Sequence, residues 1–286
     1  MKLPVPGGLA AEPLRRFLLA HALPGAETHV DGLHRRVFRT SRGPVEASVD
    51  LGTDERCEAV VLDGPDLDAG LLDELAPVVR RWLDLDGHQE EAERHLAGDP
   101  LLAPLIAANP GLRVPRTVWG AETALLTVLG QQVSLAAART FGGRLVAAYG
   151  TPVGGLRAFP EPAALAAAGP DALRAVTGVT GARARTLHVL AQTLADGLDL
   201  DGDLGTVDPA AAHAALLALP GIGPWTADYV ALRVLGDSDA FLPSDLVLRR
   251  ALGRITAREA QARAEGWRPW RGYALLHLWT AEVFAT

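Results

Sequence analysis

The sequence predicts an α+β protein, with a small N-terminal α/β domain over residues 1–96 and an all-helical region over residues 97–286. Residues 26–61 alternate apolar and polar side chains in four runs, AETHVD, LHRRVFRT, VEASVDLG and CEAVVLDG, with Asp31-Gly32 and Arg42-Gly43 turns between them, the pattern of an antiparallel sheet. Beyond residue 96 the alternation vanishes, and Ala/Leu-rich stretches are broken at NPG (109–111), YGTP (149–152), FPEP (159–162) and GP (169–170). At 286 residues the chain suits two domains, or three small ones, and can bury a sizeable core.

In chain order, AEPLRRFLLAHA (11–22) reads as a short helix and the four alternating runs follow. Residues 66–83 form an amphipathic helix with Leu67, Leu71, Leu75, Val78 and Trp82 on one face. HQEEAERH (88–95) reads as a charged, solvated helix at the domain boundary. Asp208 and Pro209 are a good N-cap and first helical residue, and Leu216, Leu217 and Leu219 close that helix on an apolar face. Pro220-Gly221-Ile222-Gly223 breaks the chain tightly. Pro224 opens the next helix, with Trp225, Tyr229 and Leu232 on one face and Ala227, Val230 and Val234 on another. Gly236 ends it as a C-cap.

Composition narrows the function. Cys57 is the one cysteine, which excludes an intramolecular disulfide and a four-cysteine iron–sulfur cluster. The histidines form no HExxH pair and no paired Cys/His spacing, so a transition-metal site is not expected. No apolar run approaches the roughly 18 residues needed to span a bilayer, and MKLPVPGG lacks the apolar stretch of a signal peptide. A cytoplasmic protein is expected. The net charge of −7 argues against nucleic acid, but residues 1–100 carry 11 basic against 19 acidic residues, and residues 101–286 carry 16 against 15. Lys2 is the only lysine.

The chemistry concentrates in LPGIGPWTADYVALRVLGDSDAFLPSD (219–245). The glycines of the 219–227 hairpin remove the Cβ atoms that would hold a ligand off the backbone. Its N–H groups and the following helix N-terminus make an anion site that needs no cation. A bare turn of this kind is more often only a turn. In the 241–246 loop, Asp245 precedes LVLRRAL, where an N-cap is its ordinary role. Capping is compatible with catalysis, because the helix dipole favours an ionised carboxylate.

LPGIGPWTA followed by FLPSD resembles the helix-hairpin-helix DNA glycosylases, and within them the 3-methyladenine DNA glycosylase II (AlkA) branch. LTVLGQQVS (126–134), GARARTLHVLA (181–191) and WRPWRGYALLHLW (267–279) resemble further segments of that branch. The resemblance implies a TATA-binding-protein-like N-terminal sheet and a helix-hairpin-helix core of two helical subdomains. It implies a monomer that flips a damaged purine out of duplex DNA and excises it, with Asp245 catalytic. Trp225, Tyr229, Trp279, Leu246 and Phe17 would form the base pocket, reading charge and stacking where few polar side chains are expected. Gln131, Gln132, Gly221, Ile222, Gly223 and Thr226 would contact DNA, with Gln132 as a polar wedge where many relatives carry leucine. Backbone carbonyls of Leu217, Leu219 and Ile222 would hold a structural monovalent cation; no other cofactor is implied. Trp225 stands where lyase-type relatives carry a Schiff-base lysine, so water would be the nucleophile. A bifunctional glycosylase/lyase for oxidised bases, a non-catalytic DNA-binding module and a protein scaffold are the alternatives.

Overall fold

A computed structural model describes residues 1–201 and 207–283; residues 202–206 and 284–286 of the expected helical region lie outside them. The N-terminal part holds β1 (Lys2–Ala10), α1 (Ala11–His21), β2 (Glu27–Val30), β3 (Leu33–Thr40), β4 (Gly43–Asp50), β5 (Arg56–Asp63) and α2 (Ala69–Trp82). The sheet order is β1-β5-β4-β3-β2, antiparallel throughout. The Asp31-Gly32 turn works as expected: both residues are left-handed, at φ 49 and 81, the geometry that matches strand twist in a two-residue hairpin. Strand β1 is absent from the sequence expectation. Two prolines and Gly7-Gly8 spoil its alternation, and its register on β5 shifts between Pro4 and Leu9.

One sheet face packs under the helices. Phe38, Val49, Val60 and Leu62 meet Leu14, Leu75, Val79 and Trp82 in one buried cluster; each such side chain contributes about 1.5–3 kcal/mol. Helix α2 buries Leu71, Leu75, Val79 and Trp82. Val79 therefore replaces the expected Val78, which is half-buried, because the burial stripe follows i, i+4, i+8.

The helical part runs α3 (Gln89–Leu96), α4 (Leu102–Ala108), α5 (Gly120–Gly130), α6 (Leu135–Tyr149), α7 (Pro162–Thr177), α8 (Gly181–Ala195), α9 (Pro209–Leu217), α10 (Pro224–Val230), α11 (Leu246–Ala251), α12 (Ala257–Arg263) and α13 (Arg271–Val283). A two-stranded ribbon, β6 (Pro152–Val153) and β7 (Leu156–Arg157), interrupts it. Strand structure thus does not end at residue 96. Helix α3 is not solvated all round: Gln89, Ala92 and Leu96 are buried. Two cores divide the region. One joins α5 to α10 through Leu125, Leu187, Leu216 and Val230. The other joins α3, α4, α11 and α13 through Leu96, Leu102, Leu248 and Leu275. Helix α10 borders both, sending Val230 into the first while Trp225 and Tyr229 pack against the second. Among the described residues no helix is long and apolar enough to cross a membrane.

Candidate active site and DNA interface

The hairpin between α9 and α10 is built by local chemistry. Asp208 caps α9, accepting from the N–H groups of Ala210 (2.9 Å) and Ala211 (3.3 Å). Leu216 is buried but Leu217 is 41% exposed, so the apolar face at the end of α9 is narrower than the sequence suggests. Gly221 is left-handed at φ +85, and a Cβ there would lie 2.0 Å from Thr186 Oγ1 on α8. Gly223 caps α10 in an extended conformation, φ −102 and ψ 177, and a Cβ there meets nothing within 4 Å. The two glycines thus have different reasons: Gly221 lets α8 approach, and Gly223 keeps an open surface. The Gly221 and Gly223 N–H groups find no acceptor among the described residues.

The other expected DNA contacts divide. Ile222 is buried, its N–H bonded to Leu219 O at 3.1 Å. Thr226 is also buried, its N–H bonded to Gly223 O and its hydroxyl accepting from Gln131 Nε2 at 3.0 Å. Neither side chain reaches the surface, so both brace the hairpin from inside. Gln131 also donates to Gly221 O at 3.1 Å, and Arg183 donates to the Gln131 carbonyl. Gln131 therefore ties its loop to the hairpin. Gln132 is exposed and left-handed, at φ 54, which sets it apart as the tip of that loop. Ser134 caps α6, its hydroxyl accepting from Ala137 N at 3.2 Å.

Asp245 sits where three elements converge. Its Oδ1 accepts from Leu248 N at 2.8 Å and from Trp279 Nε1 at 3.0 Å. Its Oδ2 accepts from Trp225 Nε1 at 3.1 Å. The first bond is the expected N-cap of α11. The other two come from α10 and α13, 20 and 34 residues away, and capping alone does not require them. Three N–H dipoles aimed at one carboxylate support and orient a negative charge.

The carboxylate opens on a cavity of about 350 Å³ lined by Phe17, Trp225, Tyr229 and Trp279. The Trp225 and Tyr229 rings stack at 5.4 Å, and Tyr229 tilts against Trp279 at 6.2 Å. These four residues and Asp245 meet as expected. Leu246 does not: it is 71% exposed, and its neighbour Val247 lines the cavity instead. One step along a short helix turns a side chain through about 100°, a choice sequence alone leaves open.

The rest of the cavity wall corrects the expectation of few polar groups. Glu27, Arg36 and Glu122 line it. Arg36 forms an ion pair with Glu27 Oε1 at 2.9 Å and donates to both Glu122 oxygens at 2.9 Å. Burial pushes the Glu27 carboxyl up. His21, stacked on Phe17 at 4.0 Å, is also in the wall. Burial, helped by Arg233, pushes its imidazole down to about 4. The sequence carries a signal for this wall: His34, Arg36 and Phe38 share the inward face of β3, and a charged residue at an inward position needs a partner.

Comparison with known proteins places the chain in a family and matches its fold. The AlkA N-terminal domain model matches residues 1–119, and the model of the HhH-GPD superfamily base excision DNA repair protein matches residues 125–271. A Mycobacterium tuberculosis protein, described as a probable bifunctional transcriptional activator/DNA repair enzyme AlkA, is 44% identical over 98% of this chain. The chain spans only 56% of that protein's length. The DNA-3-methyladenine glycosylase 2 of Escherichia coli is 39% identical over 63% of this chain and 64% of its own. The 3-methyladenine DNA-glycosylase of Archaeoglobus fulgidus shares the fold, with a TM-score of 0.82 at 22% identity over 99% of this chain and 98% of that one. Mag1 of Schizosaccharomyces pombe, a 3-methyladenine DNA glycosylase solved with abasic DNA, matches at 0.58 with 23% identity, over 68% of this chain and 99% of that one.

Proposed function

The chain belongs to the HhH-GPD superfamily of base excision DNA repair proteins, and from that premise we propose that it is a monofunctional DNA glycosylase for alkylated purines. It takes its substrate from duplex DNA, flips the damaged nucleotide into the aromatic cavity and hydrolyses the bond between C1′ and the base. It works as a monomer in the cytoplasm.

The carrying observation is one carboxylate held by two indole N–H groups in the wall of a cavity lined by aromatic rings. As the base departs, the sugar gains oxocarbenium character, and a fixed negative charge in a dry pocket stabilises it. The same carboxylate can orient water for attack at C1′. An N-alkylated purine is cationic, and stacking on indole rings favours a desolvated cation by roughly 1–2 kcal/mol. Trp225 offers no amine for an imine, and Lys2 lies in β1, so water is the nucleophile.

DNA is held by the exposed hairpin glycines, whose N–H groups suit one phosphate. Gln132 fills the gap that flipping leaves. The Leu217 and Ile222 carbonyls accept no hydrogen bond among the described residues, and Leu219 O accepts one. These hard oxygen donors fit a monovalent cation, which would fix the hairpin's shape.

The test is a panel of duplexes, each with one 3-methyladenine, 7-methylguanine, hypoxanthine or ethenoadenine. Base release without strand nicking, and no covalent adduct on borohydride treatment, is expected. DNA binding with no base released from any duplex would favour the non-catalytic module.

A further inference from the structure

We propose, on the glycosylase reading above, that the Tyr229 hydroxyl donates a hydrogen bond to the departing base, aimed by Arg233, and so governs which lesions leave. Helix α10 gives way after Val230 to a single π-helical turn, Ala231–Leu235, a distortion often found at functional sites. That turn carries Arg233, 8% exposed, to the wall of the cavity. Its Nη1 donates to the Tyr229 hydroxyl at 2.7 Å, Nε to Pro115 O and Nη2 to Arg116 O at 3.2 Å. Its Cζ lies 4.7 Å from the Phe17 ring centre.

A guanidinium has donors and no acceptor, so the Tyr229 oxygen accepts in this pair. The hydroxyl hydrogen must point elsewhere, and among the described residues no acceptor meets it. The ring stacks on Trp225 and tilts against Trp279, and Tyr229 lines the cavity. Both indole N–H groups are committed to Asp245. Of the three polar aromatic residues around Asp245, only Tyr229 therefore has a donor left for a ligand. Donation from a cation strengthens the hydroxyl's own donation, as in any polarised hydrogen-bond chain.

The chemistry gives that donor a selective use. Hydrolysis breaks C1′–N9, the electron pair leaves with the base, and a water oxygen bonds C1′ and sheds a proton. A cationic 7-methylguanine leaves neutral, and the proton goes to solvent. A neutral hypoxanthine leaves as an anion and takes up the proton. An O–H donor at its edge strengthens as that charge develops, so it lowers the barrier. Tyr229 is then the group that touches the base, and Arg233 is its positioning residue.

Single-turnover release of hypoxanthine and of 7-methylguanine from matched duplexes tests this, with wild type, Tyr229→Phe and Arg233→Lys. Phenylalanine keeps the ring stack. Tyr229→Phe should slow hypoxanthine release about 10- to 100-fold more than 7-methylguanine release, the scale of a hydrogen bond to a charged group. Arg233→Lys should shift the ratio the same way, since one ammonium cannot reproduce the planar fork that serves the hydroxyl and two carbonyls. If that protein does not fold, Tyr229→Phe alone decides. An unchanged ratio in Tyr229→Phe overturns the proposal. So does a wild type that releases 7-methylguanine but not hypoxanthine, and that result leaves the glycosylase reading standing. A wild type that releases neither base overturns both.

Discussion

Gly223→Ala and Gly221→Ala should fail in opposite ways. At Gly221 an alanine is forced into the left-handed region, which costs about 1–2 kcal/mol. Its Cβ would also lie 2.0 Å from the hydroxyl oxygen of Thr186, a buried side chain. Overpacking of this kind costs about 1–3 kcal/mol more. The sum, roughly 2–5 kcal/mol, should lower the melting temperature by several degrees. At Gly223 the backbone is extended and the added methyl meets open space. The loss there is confined to capping preference, about 1 kcal/mol or less. That methyl nevertheless stands on the surface where a phosphate would approach the hairpin N–H groups. Losing one charge-assisted hydrogen bond should weaken binding about 10-fold. Thermal unfolding and anisotropy with a duplex carrying an abasic-site analogue separate the two effects. If Gly223→Ala melts as early as Gly221→Ala while its folded fraction binds normally, Gly223 is a turn residue and the phosphate site is refuted.

Two further outcomes follow from the packing. Trp279→Phe removes the 3.0 Å donor to Asp245 Oδ1 while Leu248 N remains; single-turnover base release should slow about 10- to 100-fold, and an unchanged rate would make Trp279 a packing residue only. Burial holds the His277 imidazole down to about 4, against about 6.5 unfolded. Between those values the unfolded chain binds more protons. Stability present above about pH 6.5 is thus lost as pH falls towards 4, by up to ~3 kcal/mol for this residue. His21 is depressed with the same sign. Denaturant unfolding at pH 5 and 7.5 should show a smaller difference in His277→Leu than in wild type.

What the sequence made legible is what local chemistry decides. Asp208-Pro209, Pro224 and Gly236 place caps and turns through their own side chains and dihedrals, so α9 and α10 were readable. Phe17, Trp225, Tyr229, Trp279 and Asp245 were readable together only through a family resemblance, because 228 residues separate Phe17 from Asp245. Strand β1 was not readable, since its pairing with β5 is non-local and its glycines carry a register shift. The Glu27–Arg36–Glu122 wall was missed for the same reason, with Arg36 and Glu122 86 residues apart. The burial of Thr226 against Gln131 is not legible either, because helix phase does not say whether a hydroxyl at the start of α10 faces solvent or a neighbouring loop.

Asp245→Asn tests the central claim most directly. At about 4 Å and an effective dielectric near 20, one charge stabilises an oxocarbenium by roughly 4 kcal/mol, about 10³ in rate. The amide keeps the size, loses that charge and turns an N–H towards an indole N–H. Single-turnover release of 7-methylguanine from duplex DNA should fall at least 10³-fold, while affinity for an abasic-site analogue stays within a few-fold of wild type. Release within about 10-fold of wild type would contradict the catalytic role and leave Asp245 as the cap of α11.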